Sequence, residues 1–236
     1  MLIRAPAVNA CGFSGDIQVV PAYGSKTDDY VTRLGRAYMP VLGNDGRLRR
    51  LADRLQQFVD ILAAQEMPPD LILLDARAGL HDLGAAAVTQ LGAQVFVFGR
   101  DEPQGWTSQR QLLTHLKRSR QINPADENND LRLRLKCVAA MVEDFGDPLS
   151  CWIGNAYDTW CTIYDEAEDA PYAFSLQDEE APHYPLPIAF TAAARRARLT
   201  DATLDEQWNL LAPAFQRFID TASALLIPPA SDHPPP

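Results

Sequence analysis

Asp75 closes the run Asp70–Asp75 (DLILLD) and is followed by Ala76, Arg77, Ala78, Gly79, Leu80, His81 and Asp82. A carboxylate that ends an uninterrupted apolar run stands where a buried parallel strand delivers ligands, at its carboxyl end. There it can hold Mg²⁺, often through water. Gly79, in the loop that follows, would let backbone N–H groups approach a phosphate closely. The same residues have an ordinary reading, in which Asp75 caps a turn and Gly79 only permits a left-handed backbone. The pattern alone leaves both open.

Other candidates for chemistry are weaker. Cys11, Cys137, Cys151 and Cys161 contain no C-x-x-C, and His81, His115, His183 and His233 form no H-x-x-x-H pair. That spacing argues against zinc, and scattered single cysteines fit a reducing cytoplasm. Ser14 sits in Gly12–Asp16 (GFSGD) but lacks the G-x-S-x-G spacing and the strand before it that a nucleophile elbow needs. The acidic residues Asp165–Asp169 and Asp178–Glu180 read as solvated loops. His183 reads as a hydrogen-bonded structural histidine. Trp106, Trp152, Trp160 and Trp208 suit a core or an interface. Trp106 is also placed to lie near a nucleotide base. The arginines of Arg195–Arg198 read as dipole compensation at a helix end.

The elements that would position Asp75 follow from periodicity. Asp16–Tyr23 reads as a short strand, Asp29–Tyr38 as a helix and Pro40–Gly46 as a loop. Leu48–Gln65 has Leu48, Leu51, Leu55, Phe58, Val59 and Leu62 on one helical face. Asp70–Asp75 and Gln94–Phe98 read as buried strands flanking a small-residue helix at Leu83–Leu91. Trp106–Arg120 reads as a helix with a basic end, and Leu131–Val142 as a strand. Asp147–Tyr164 reads as a helical insertion, Ala173–Leu176 as an edge strand and Pro182–Pro187 as extended. Ile188–Arg198 and Leu204–Leu226 read as helices. Strands alternating with helices predict an α/β fold: a mostly parallel sheet with helices on both faces, followed by a helical C-terminal part. The expected organisation is an irregular segment over 1–15, one domain over 16–227 with the insertion around 147–165, and a disordered proline-rich tail over 228–236.

The chain has 236 residues, of which 47% are hydrophobic and 22% charged. That composition excludes a disordered or fibrous protein. The formal charge is −10, from 31 acidic and 21 basic residues. An acidic balance argues against a general nucleic-acid-binding role, which needs a local excess of cations. No apolar run is long enough for a membrane span.

Pro69–Ala93 (PDLILLDARAGLHDLGAAAVTQLGA), together with IQVVPAYG, Leu34–Tyr38 (LGRAY) and the helix after DEPQGW, resembles the later part of ParA/MinD-type ATPases, in the SIMIBI class of P-loop NTPases. The likeness runs from about Ile17 to Arg120 and is closest to divergent bacterial members. It implies an ATP-dependent switch in which two subunits sandwich ATP and Mg²⁺. It implies that Asp75 holds the magnesium shell through water and that the loop with Gly79 senses the γ-phosphate. Arg77 and Asp82 would then stand beside that phosphate. A homodimer is the implied assembly, with the protein partner open.

The departure from that family is the phosphate loop. G-x-x-x-x-G-K-[ST] cradles phosphates with backbone N–H groups and a lysine. The only lysines are Lys26, Lys117 and Lys136, and none follows a glycine. Gly24-Ser25-Lys26-Thr27 has one residue too many between Gly and Lys, and Val19 stands where the first glycine belongs. Two expectations follow: the chain is the later portion of a longer ATPase, or it is an interaction scaffold that has lost its nucleotide loop. Both predict no hydrolysis by the chain alone.

Overall fold

A computed structural model describes residues 3–4, 17–22, 27–76, 88, 90–118, 130–143, 147–167, 170–195 and 204–227. The chain forms two compact units, Met1–Ala93 and Gln94–Pro236, within the span for which the sequence predicts a single domain from 16 to 227. The predicted tail over 228–236, the Arg196–Arg198 end of the arginine cluster and most of the predicted helix Leu83–Leu91 lie outside the described residues.

In the first unit, β1 (Ile3–Arg4) pairs antiparallel with β2 (Gln18–Val19). A strand therefore stands inside the segment predicted to be irregular, and the strand predicted over Asp16–Tyr23 shortens to two residues. Helix α1 (Tyr30–Ala37) falls within its predicted span. β3 (Val41–Leu42), in the predicted loop, forms a hairpin with β4 (Leu48–Arg49). Gly46 takes φ +73° at its turn, a conformation that only glycine adopts without cost. The hairpin takes Leu48 and Arg49 from the predicted helix, which begins instead as α2 (Leu51–Ala63). The Asp53 carboxylate accepts the Arg50 backbone N–H at 2.7 Å and satisfies one end group. From α2, the Arg54 guanidinium donates to the Ala37 carbonyl at the C-terminal end of α1.

The strand predicted over Asp70–Asp75 is not formed. These residues carry no ladder hydrogen bonds, and Leu71, Leu73 and Leu74 are exposed, Leu73 by 77%. A strand buried on both faces needs paired edges and covered faces. Among the described residues the run has neither, so its apolar side chains stay at the surface.

The second unit holds the parallel sheet. β5 (Val95–Gly99), β6 (Leu135–Val142) and β7 (Leu186–Ala189) lie in that order, with both pairings parallel. Helix α3 (Pro103–Arg118) connects the first pair and α4 (Pro148–Trp160) lies in the connection of the second. The helix read as an insertion is thus part of a crossover. Helix α5 (Leu204–Leu226) matches its predicted span.

Three local predictions fail for physical reasons. Leu131–Arg134 is a 3₁₀ turn and not the start of β6, because the Asp130 carboxylate accepts the Arg132 N–H at 2.8 Å and bends the chain. Ala173–Leu176 has no strand partner among the described residues. Ile188 and Ala189 join β7 through pairing with β6, which overrides their local helical pattern.

Register separates the two faces of the sheet. Val138 and Leu186 are partners and pack with Ile188, Phe96, Phe215 and Phe218, so α5 covers that face. Cys137 points to the opposite face, where its thiol meets Gln109 of α3. Gln109 in turn accepts the Trp160 indole N–H at 2.9 Å, which ties α3 to α4. Lys117 and Arg110 of α3 donate to the carbonyls of Thr162 and Asp158 at the end of α4. These cations satisfy end carbonyls and oppose the helix dipole.

Candidate functional site

The residues predicted for nucleotide chemistry do not share one fate. Asp75 belongs to the first unit and is exposed on the strandless run. Arg77, Gly79 and Asp82 lie outside the described residues. Trp106 belongs to the second unit, in the first turn of α3.

Trp106 stands at the carboxyl rim of the parallel sheet, the edge where open α/β sheets take ligands. Beyond Gly99 the chain turns through Arg100, Asp101 and Glu102 into α3. The Trp106 indole N–H donates to Asp101 Oδ1 at 2.8 Å, and Asn155 of α4 donates to the same oxygen at 2.9 Å. The Trp106 ring meets Trp152 edge-on at 4.6 Å between centroids. Arg100 and Glu102 pair at 3.1 Å in solvent. Gly99 has no room for a side chain, because a Cβ there would run into the Gln109 amide. The Trp152 indole N–H is buried and has no hydrogen-bond partner among the described residues. Met141 beside this rim takes φ +61° at an irregularity in the β6–β7 register. The rim is therefore a carboxylate fixed by two donors beside two indoles. Trp106 spends its N–H on Asp101.

A second group of buried polar side chains lies elsewhere, at the amino end of β6. Arg132 is 1% exposed and pairs with Asp130 at 2.6 Å and Asp165 at 2.8 Å. Its guanidinium also lies 3.8 Å over the Tyr172 ring. Burial opposes the charge, and the two carboxylates outweigh it, so the Arg132 pKa stands above its ordinary value. The Lys136 ammonium donates to the carbonyls of Ala181 at 2.8 Å and Glu179 at 3.1 Å. Burial lowers its pKa, and burial pushes the Cys137 thiol up. His183 is fully buried against Tyr164, with both ring nitrogens bonded, which is its ordinary structural reading.

Sequence reasoning did not single out Arg132 or Lys136. The alternation Leu131–Lys136 (LRLRLK) looks like one solvent-facing side of a strand. The usable signal was Asp130 just before Arg132, a spacing suited to a side chain folding back on its own turn.

Among the described residues no three His, Cys, Asp or Glu side chains gather closely enough for a metal ion. No described helix is long and apolar enough to cross a membrane. No protein-family model, no curated protein and no solved structure matches the chain.

Proposed function

We propose that the chain is a ParA/MinD-like relative of the nucleotide switches that turns over no nucleotide by itself. The observation that carries this reading is the parallel pairing of Val95–Gly99 with Leu135–Val142, directly after the motif-bearing segment Pro69–Ala93. A parallel sheet with helices on both faces is the architecture that the motif implies. The lack of a glycine-preceded lysine in the sequence supports the second half. Without a backbone cradle and its lysine, the electrostatic stabilisation that phosphoryl transfer depends on is missing. On this reading Asp75, Arg77, Gly79 and Asp82 belong to the nucleotide side of the ancestral site. ATP and Mg²⁺ are the ligands of that site, and a second copy is its natural partner.

A second reading, a non-catalytic interaction scaffold, is favoured by the uncovered side chains of Leu71, Leu73 and Leu74. Titrating Mg²⁺ and ATP into the purified chain by calorimetry, with melting followed in parallel, tests the proposal. The expected result is no heat of binding and an unchanged melting temperature. Saturable micromolar binding together with phosphate release would contradict it. A stable dimer without nucleotide would favour the scaffold.

A further inference from the structure

The amino end of β6 is held by a strap, residues 170–184, through several ties. Tyr172 lies under the Arg132 guanidinium, and its carbonyl accepts the Asp165 N–H at 3.2 Å. Lys136 holds the carbonyls of Glu179 and Ala181. The Cys137 N–H donates to the Pro182 carbonyl at 2.9 Å. The last tie is His183. We propose that this tie is a proton-operated latch: protonation of His183 releases the strap from Tyr164 while the parallel sheet stays folded.

The hydrogen bonds fix the tautomer. His183 Nε2 lies 3.2 Å from the Leu176 carbonyl, which can only accept, so Nε2 carries the proton. Nδ1 is then an acceptor and takes the Tyr164 O–H at 2.8 Å. The same hydroxyl oxygen accepts the His183 backbone N–H at 3.0 Å. Every polar atom of the pair is satisfied in the neutral state. A proton added from solvent at Nδ1 reverses that bond, because Nδ1–H can then only donate to the Tyr164 oxygen. The Tyr164 hydroxyl must turn away and its hydrogen loses its acceptor.

The surroundings decide which protonation state the fold prefers. Tyr157 of α4 meets the ring edge-on at 5.1 Å, and Tyr164 flanks it. Of the charged groups around it, Lys136 of β6 disfavours the imidazolium and Asp178 of the strap favours it. Burial is the largest effect and, with Lys136, it holds His183 below its ordinary pKa against the Leu176 carbonyl and Asp178. A group depressed in the folded state binds fewer protons there than when released. Strap closure is therefore full above about pH 6.5 and weakens as pH falls toward the folded value. The other ties are made by an arginine, a lysine and backbone groups, none of which ordinarily titrates between about pH 5 and 8.

Hydrogen exchange read by NMR at about pH 7.5 and about pH 5, corrected for intrinsic rates, tests the latch. The amides of His183 and Cys137 report the strap, and those of the β5–β6 ladder report the sheet. The expected result is a strap protection that drops by roughly tenfold or more, with the ladder unchanged. In His183→Gln the drop disappears. In Tyr164→Phe, which removes the partner of both Nδ1 and the His183 N–H, the strap is weakly protected at both pH values. Strap protection independent of pH in the natural chain, a drop retained in His183→Gln, or a pH-dependent drop retained in Tyr164→Phe would each overturn the latch.

Discussion

The Asp130 carboxylate and the Arg132 guanidinium, two residues apart, pair at 2.6 Å with both side chains out of solvent. The pair turns the chain into β6 and reaches Asp165 and Tyr172, so one buried cation fastens segments far apart in sequence. A buried ion pair is costly to break from one side, because the surviving charge stays desolvated.

Asp130→Asn therefore destabilises the second unit by about 3–5 kcal/mol. Urea unfolding followed at the transition of that unit measures it. A loss below about 1 kcal/mol, the range of an exposed pair, would contradict the burial.

Leu73→Asp separates the structure from the strand predicted over Asp70–Asp75. An exposed side chain on a strandless run tolerates a charge within about 0.5 kcal/mol. A buried strand would lose several times that, because an unpaired carboxylate would enter an apolar core. An unchanged urea midpoint is expected.

Gly99→Ala places a methyl group against the Gln109 amide, whose oxygen holds Trp160. Gln109 must move and the bond to Trp160 weakens. Overpacking of this kind costs about 1–3 kcal/mol. Thermal melting, with tryptophan emission as a local probe, is the measurement, and Gly99→Ser should be at least as harmful.

Cys151 and Cys161 are exposed, whereas Cys137 is buried with its thiol pushed up by that burial. Alkylation at neutral pH followed by peptide mass analysis should label the first two within minutes. Cys137 should stay unlabelled until the second unit unfolds. Equal labelling of all three would contradict the β6 core.

Legibility in the sequence tracks how locally each element is determined. Leu204–Leu226 is readable because a helix signals its own period, and Gln94–Phe98 because a short apolar run between turn residues has few alternatives. Asp70–Asp75 has the same apolar signal, and no ladder forms, because a strand exists only through neighbours that its own residues do not encode. The second half of β7 is hidden for the converse reason: Leu186 and Pro187 fall in the segment read as extended, but Ile188 and Ala189 gain their strand from β6. At the candidate site, Trp106 was legible as a large side chain just after a strand. Its anchor Asp101 and the donor Asn155 come from different elements, and only the fold joins them. The Arg132 cluster was illegible because a buried arginine and a solvated one share the same letter.

The most direct test of the central claim is steady-state phosphate release from ATP by the purified chain with Mg²⁺. A rate indistinguishable from buffer, unaltered in Asp75→Ala, is predicted. Release above background that Asp75→Ala abolishes would show a working nucleotide site and contradict the account.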